Sequence, residues 1–438
     1  MELKVAKFGG SSLAEAAQFK KVKEIVDADP SRRIIVPSAP GKRFKDDYKI
    51  TDLLLMCHQL ASHRLNFEEV FGKIEDRYIG IAQSLDLKVA IEAILRGIYT
   101  NIRSGASLDY CASRGEYVNG ILLADYLGFK FIDAKDVIFF KDHENLDEAK
   151  TRQMAWDVIG QDCQVVVPGF YGTNESGEIQ CFSRGGSDVT GAVLADALHV
   201  DLYENWTDVS GFLMANPQIV EHPLPIESIT FRELRELSYM GANVLHVDAI
   251  FPMRRLGIPI DIKNTNRPAD AGTRIVTDQA VVPDGRLITG IAGKQDFTVI
   301  SVEKLKMTDD LAFFRKLVSV FESNDVPIAH MPSAIDAVSV IVENRWLGDK
   351  LSKIKEEIRI YCSPDSIETY PSMALVAVVG RGMIKTKGIS ARIFTALSQN
   401  DVNIRMISQG SSEINIIIGI ENKDFESAIR AIYHAFKE

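Results

Sequence analysis

Along residues 1 to about 280, short β-rich runs alternate with helical patterns, and this alternation constrains the fold more than any other feature of the chain. Leu3 to Phe8 reads as a strand and Ala14 to Val26 as an amphipathic helix. RIIVP at Arg33 to Pro37 and QVVVP at Gln164 to Pro168 read as buried central strands. Between them lie helical stretches at Thr51 to Ala61, Leu87 to Ile102 and Gly115 to Leu127. Strands that alternate with helices imply an α/β domain, a mainly parallel sheet sandwiched by helices on both faces. In such sheets ligands sit beyond the carboxyl ends of the strands, so the turns there are where chemistry is sought.

The pattern changes at the turn cluster Val282-Pro283-Asp284-Gly285, the expected domain boundary. Beyond it the chain repeats itself. Ser319 to Ile328 reads SVFESNDVPI and Thr395 to Ile404 reads TALSQNDVNI. Each copy ends a helix, enters a strand, and continues to a β-rich run closing on Glu-Asn, at Glu343-Asn344 and Glu421-Asn422. The shared order of elements makes duplication the better explanation than coincidence. Each copy reads strand, helix, strand, strand, helix. The opening strands are Phe297 to Val302 and Ala374 to Val379; the first helices are Leu311 to Glu322 and Ile389 to Gln399. A split β-α-β unit of the ferredoxin-like α+β type wants a fourth strand. The second copy lacks one, and a spare strand stands at Ile288 to Ala292. The expected domains are therefore 1–282 and 283–438. Within the latter, a first unit at about 296–365 is inserted in a second made of about 286–295 and 366–438.

Composition removes several function classes. At 438 residues the chain is too long for one ordinary core. Its 60 acidic against 50 basic residues leave a net charge of -10, which argues against a nucleic-acid binder. The cysteines Cys57, Cys111, Cys163, Cys181 and Cys362 form no C-x-x-C pair, so neither a disulfide framework nor a metal site is expected. MELKVAKFGG lacks a secretory apolar region, and no run approaches the roughly 20 apolar residues of a membrane span. A cytoplasmic protein with no membrane partner is expected. No Walker loop, H-R-D, D-F-G, H-E-x-x-H or G-x-S-x-G occurs.

Two turns carry chemistry. Lys7-Phe8-Gly9-Gly10-Ser11-Ser12 lies between the first strand and the first helix. Paired glycines admit close backbone approach, helix amides favour anions, and the lysine adds a cation, so the segment suits a phosphate. Ser183-Arg184-Gly185-Gly186-Ser187-Asp188 opens the helix VTGAVLADAL. Its arginine offers a planar fork for a carboxylate. On the residues alone, each is also what a plain serine- or aspartate-capped turn looks like.

Together, however, KFGGSS, S-R-G-E at Ser113 to Glu116 and R-G-G-S-D at Arg184 to Asp188 resemble the aspartate kinases of the amino-acid kinase family. Trp206-Thr207-Asp208-Val209-Ser210-Gly211 and Met240 to His246 (MGANVLH) are similar to further stretches of that family. The duplicated half resembles tandem ACT domains, including the inserted arrangement. The resemblance implies ATP-dependent phosphorylation of the aspartate side-chain carboxylate, the first step toward lysine, threonine and methionine, with Mg²⁺ on the phosphates. It assigns Lys7 and Asp188 to catalysis, and Lys7, Phe8, Gly9, Gly10, Ser11, Thr207 and Asp208 to ATP. It assigns Arg184 to the substrate α-carboxylate and Glu116 to the α-ammonium, with Ser38, Thr51, Gly186 and Ser187 beside them. The charged insert Pro40 to Lys49 reads as a solvated, mobile flap. The chain departs from the family pattern at Leu213, Gln218 and Asn243, which bear on the adenine and outer phosphate contacts.

The same resemblance implies a homodimer through the ACT units, or a tetramer, and an amino-acid effector, lysine ahead of threonine. Its candidate contacts are Met307, Asp310, Leu311, Ile328, Ala329 and Ser333. Two other functions stay open on the sequence: a weak or inactive amino-acid sensor, and a kinase of another amino acid. No dehydrogenase domain is expected, because the repeat runs to the end of the chain.

Overall fold

The computed structural model describes residues 2–142, 145–160, 164–183, 185–242, 253–281 and 285–437. The chain divides into two compact units. The first takes in Met1–Phe212, Pro225–Leu234 and Asn243–Val282. The second takes in Leu213–Leu224, Arg235–Ala242 and Pro283–Glu438. The segments Leu213–Leu224 and Arg235–Ala242, expected inside 1–282, thus pack with the second unit, a correction to the single boundary read from the turn cluster. Hydrogen bonds within that unit give the reason. Ile291 N–H donates to the Met214 carbonyl at 2.7 Å, Leu224 N–H to the Tyr433 hydroxyl at 3.0 Å, and Asn415 Nδ2 to Glu236 Oε2 at 2.5 Å.

The strands before residue 282 are β1 (Lys4–Phe8), β2 (Arg32–Pro37), β3 (Lys130–Phe131), β4 (Val165–Val166), β5 (Tyr171–Thr173), β6 (Ile179–Cys181), β7 (Leu202–Thr207), the two-residue β8 (Phe212–Leu213), whose Leu213 belongs to the second unit, and β9 (Pro225–Ile226). They are followed by β10 (Ser228–Thr230), β11 (Ile260–Asn264) and β12 (Thr273–Val276). Eight of them form one sheet in the order β10-β12-β11-β7-β1-β2-β4-β3, parallel except for the β11–β12 pair. Residues alternate between faces along each strand. Ala6, Phe8, Ile35, Val166 and Trp206 point into a core made with α1 (Ala16–Asp27), α2 (Ile50–Ser62), α3 (Glu68–Ser84), α4 (Ile91–Arg103) and α5 (Leu108–Leu127). After α6 (Glu148–Val158), α7 (Gly186–Ala197) covers the other face: a Cβ on Gly191 would lie 2.7 Å from the Tyr203 ring. The helix α8 (Phe231–Tyr239) follows, its residues from Arg235 on belonging to the second unit.

Helix ends differ from the sequence expectation where the pattern misleads. The helix α5 begins at Leu108, capped by Ser107, whose hydroxyl accepts from Tyr110 N–H at 3.1 Å. Its buried face includes Ser113, Arg114, Glu116 and Asn119 while Leu108 is exposed, so no apolar stripe marks its first two turns. The helix α4 begins at Ile91 rather than Leu87. The Pro40–Lys49 insert is no free flap. Asp47 is buried and holds both Arg43 (2.9 Å) and Arg77 (2.7 Å), while Arg77 also donates to the Gly41 carbonyl at 3.1 Å. A buried guanidinium on α3 requires that carboxylate, and the requirement pins the insert.

In the second unit β13 (Gly290–Glu303), β14 (Ala337–Glu343), β15 (Ser366–Val379), β16 (Met406–Ser408) and β17 (Asn415–Glu421) form an antiparallel sheet, order β14-β13-β15-β17-β16. The helices α9 (Phe313–Ser323), α10 (Asn344–Leu347), α11 (Leu351–Cys362), α12 (Ile389–Gln399) and α13 (Phe425–Phe436) accompany it. The spare strand and the opening strand of the first repeat are one strand, β13, irregular between Lys294 and Phe297, where Asp296 has φ 66°. Its first half pairs with the second half of β15, and its second half with β14 and the first half of β15. Ile328 to Ser333 makes only isolated bridges, His330 to Ile341 and Ser333 to Val338. Pro327 and Pro332 lack the amides a full ladder needs.

Candidate active site

The alternation along β1 that buries Ala6 and Phe8 against α1–α5 turns Lys7 toward α7. Lys7 is 7% exposed. Its ammonium stands 2.5 Å from Asp188 Oδ1 and donates to Asn205 Oδ1 at 3.4 Å. Asn205 faces Lys7 in the β1–β7 register, and its Nδ2 donates to Asp188 Oδ1 at 3.0 Å. Asp188 lies in the first turn of α7, where the helix end favours a negative charge. Asn205 was not among the residues expected; its signal was the parallel register of two strands, which no motif records.

The glycine turn is built against backbone on two sides. Gly9 N–H donates to the Trp206 carbonyl (2.9 Å) and Gly41 N–H to the Gly10 carbonyl (2.8 Å). A Cβ on Gly10 would sit 2.9 Å from the Ala39 carbonyl oxygen. The turn leads into a single 3₁₀ turn, Gly10–Leu13, rather than straight into α1. Ser11 is half-buried on that turn, and Ser12 Oγ lies 2.7 Å from Thr265 Oγ1. Phe8 corrects the ATP list: its side chain is fully buried and stacks on Trp206, so only its backbone faces the site. That carbonyl accepts from Ser38 N–H at 3.0 Å.

The acceptor side adjoins the same strand ends. Asn119 Nδ2 donates to the Ser38 carbonyl at 2.6 Å, and the Ala39 amide donates to the Glu116 carboxylate. Glu116 is buried, its Oε2 has no partner, and burial raises its pKa to about 7. A Cβ on Gly115 would meet Ala39 Cβ at 2.7 Å and Ile50 Cγ2 at 3.5 Å, which brings the start of α2, with half-buried Thr51, to this point. Gly169 N–H donates to the Pro37 carbonyl at 3.0 Å, and a Cβ on Gly169 would lie 2.6 Å from Ser187 Cβ. Gly186 packs against Phe170, and Gly185 has φ 59°, which favours glycine. Arg184 lies outside the described residues. Its neighbours Gly186, Ser187 and Asp188 join Lys7, Ser38 and Glu116 at the carboxyl ends of β1, β2, β4 and β7.

Thr207 and Asp208 form the next wall. The Thr207 carbonyl accepts from Thr265 N–H (2.9 Å), the Asp208 carbonyl from Asn264 Nδ2 (3.2 Å), and Thr207 Oγ1 donates to Asp208 Oδ1 at 3.2 Å. The Asn264–Thr265 loop also escaped the sequence reading, because a polar pair after a strand has no distinctive pattern. Leu213 and Gln218 belong to the second unit's segment Leu213–Leu224. Asn243 lies outside the described residues.

The six effector candidates are spread through the second unit. Met307 is sealed in the core and Leu311 is 97% exposed. Asp310 already holds Lys304 Nζ at 2.8 Å and caps Ala312 N–H at 3.1 Å; the Lys304 hydrogen bond keeps its pKa low. Ile328 is half-buried. Ala329 N–H donates to the Ile341 carbonyl at 2.9 Å, and its own carbonyl accepts from Tyr239 Oη at 2.8 Å. Ser333 lines a cavity of about 430 Å³ with Val299, Tyr370 and Arg405.

Residues 2–264 match the model of the amino acid kinase family, and residues 376–436 that of an ACT domain. Over 99% of the chain it is 36% identical to aspartokinase 3 of Bacillus subtilis, covering 98% of that protein. The crystal structure of Clostridium acetobutylicum aspartate kinase superposes with a TM-score of 0.92 at 53% identity, with all of both chains covered. That of E. coli aspartokinase III in complex with aspartate and ADP superposes at 0.78 with 25% identity, again over both chains entire.

Proposed function

The chain belongs to the amino acid kinase family, among its aspartokinases, and from that membership we propose that it transfers the γ-phosphoryl group of ATP to the side-chain carboxylate of L-aspartate. The products are 4-phospho-L-aspartate and ADP, the opening step toward lysine, threonine and methionine. The observation that carries this reading is the Lys7–Asp188–Asn205 cluster standing beside a buried, half-unpaired Glu116 at one set of strand ends.

An aspartate carboxylate, with an ordinary pKa of about 3.9, attacks already ionised, so no general base is required. A carboxylate oxygen forms the new bond to the γ-phosphorus, and the bond to the β–γ bridging oxygen breaks with its electrons leaving on ADP. The barrier lies in bringing two anions into line. The Lys7 ammonium offsets the charge spreading over the transferring group, and Asp188 with Asn205 holds that ammonium in place. The amides of the Gly9–Gly10 turn, with Ser11, face the triphosphate, and the Thr207–Asp208 wall takes the nucleotide. Glu116 receives the substrate ammonium, Arg184 its α-carboxylate, and Ser38, Thr51, Gly186 and Ser187 shape the remainder. Among the described residues no group of three His, Cys, Asp or Glu side chains could hold a metal. Mg²⁺ would enter on the phosphates and would offset their charge there.

The proposed kinase domain is 1–282 without Leu213–Leu224 and Arg235–Ala242, and 283–438 are a proposed pair of ACT units, the first (about 296–365) inserted in the second. The shared strands β13 and β15 support this assignment. Leu311 and Ile335, 97% and 75% exposed, support burial of the first unit against a second copy in a homodimer. Lysine is the proposed effector. Lys304 already rests an ammonium on Asp310, and an incoming lysine would compete for that carboxylate. Among the described residues no helix is long and apolar enough to cross a membrane, and we assign the enzyme to the cytoplasm.

The test is incubation with Mg-ATP, aspartate and hydroxylamine, which traps an acyl phosphate as its hydroxamate. Aspartyl hydroxamate is expected. Product from glutamate or acetylglutamate instead would overturn the substrate, and none from any would overturn the enzyme.

A further inference from the structure

We propose that Asn119 is a second acceptor for the substrate's α-ammonium, paired with Glu116 on the same face of α5. The proposal rests on the reading of Glu116 given above. Residues three apart on a helix are surface neighbours, and both of these meet the Ser38–Ala39 turn. Asn119 is 0% exposed. Its Nδ2 donates to the Ser38 carbonyl at 2.6 Å. That carbonyl fixes the amide's orientation, because turning it over would set oxygen against oxygen. Oδ1 is then left buried without a partner, as is Oε2 of Glu116.

Two buried acceptors three residues apart on one helix, each without a donor, are costly, and buried acceptors are rarely left so. The nearest cation on the helix does not fill the gap. Arg114 donates to Ser113 Oγ and lies 4.4–5.2 Å from the ring centroids of Tyr110, Tyr117 and Tyr171. A primary ammonium has three donors and no acceptor, so it satisfies both oxygens at once; a water or hydroxyl must turn a lone pair somewhere. The Glu116 charge adds preference for a cation. Asn119 thereby also ties the ammonium subsite to Ser38 through one side chain.

The test compares L-aspartate with succinate, which has both carboxylates and no ammonium. Dissociation constants are measured by calorimetry for the full-length wild type, Asn119→Ala, Asn119→Leu and Glu116→Gln, with an ATP analogue present. Both Asn119 variants are expected to lower the preference for aspartate over succinate about tenfold, through aspartate alone. A merely structural role would weaken both ligands together and leave the ratio unmoved, and that result overturns the proposal. An unchanged ratio in Glu116→Gln removes the ammonium site itself; a fall there with none at Asn119 removes only the present inference. The unmodified protein provides a second measurement, since the Asn119 side-chain carbonyl ¹³C resonance should shift with aspartate and not with succinate. A resonance indifferent to aspartate refutes the contact even if neither Asn119 variant folds.

Discussion

Glu116 binds an ammonium only when ionised, so protons and aspartate compete for it. Its pKa, about 7 rather than an ordinary value near 4.5, is raised because burial penalises the charge more than the Ala39 amide relieves it. From pH 7.5 to pH 5.5 the ionised fraction falls about 25-fold, close to 2 kcal/mol at about 1.4 kcal/mol per decade. The Kd for aspartate should rise by that factor over the interval, with a slope of one decade per pH unit below pH 7 and a plateau above it. Glu116→Gln should flatten the profile and sit 10- to 100-fold above the wild-type plateau, the loss of one hydrogen bond to a charged group. Stability should move the other way. The folded pKa exceeds the unfolded one, so the folded state binds the extra proton between about pH 4.5 and pH 7, and stability declines as pH rises through that window. At pH 8 the buried charge costs up to about 3 kcal/mol, and Glu116→Gln should recover 1–3 kcal/mol of it; at pH 4.5 it should recover nothing. Urea titrations at the two pH values, together with calorimetric Kd profiles, read both effects. A slope that persists in Glu116→Gln, or a variant less stable than wild type at pH 8, would falsify this account of the site.

Lys7→Met should lower kcat by about 10²- to 10³-fold in the hydroxamate assay with little change in the aspartate Kd, because the ammonium acts on charge that appears in transfer. A weaker aspartate Kd with kcat unchanged would make Lys7 a binding residue only. Gly10→Ala should cost about 1–3 kcal/mol by urea denaturation and lower activity, since its Cβ would meet the Ala39 carbonyl at 2.9 Å, whereas Gly97→Ala, with open space around it, should be neutral or stabilising. Asp47→Asn should cost about 3–5 kcal/mol, because it strands the buried Arg77. The Arg43 hydrogen bonds, with Arg77 beside them, hold the Asp47 carboxyl well below the usual range. Its contribution should therefore persist through pH 4 and disappear only in stronger acid, as urea midpoints against pH would report.

Much of the site was readable because it rests on local chemistry. Lys7, the glycine pairs and Asp188 sit in turns whose residue types advertise their conformation, and the repeat announced itself through SNDV and QNDV in matching places. Other features were hidden for definite reasons. The first two turns of α5 expose Leu108 and bury Ser113 and Arg114, so apolar and buried positions do not coincide and no amphipathic stripe shows. Phe8 belongs to the KFGGSS motif yet points to the opposite face of the sheet, because side chains alternate along β1. Asp47 looks like one charge in a charged run until Arg77, 30 positions away, is folded against it.

The sequence by itself determined the strand–helix alternation, the phosphate-suited turn, the acidic first turn of α7 and the duplicated second half. These depend on contacts within a few residues, which spacing and residue type control. Tertiary structure alone decided that Asn205 meets Lys7 and Asp188 across a strand register, and that Leu213–Leu224 belongs with the second unit. It alone decided that Glu116 and Asn119 hold oxygens without partners. Each of these follows from pairing and burial between distant segments, and a side chain's charge, partner and solvent exist only once those segments have met.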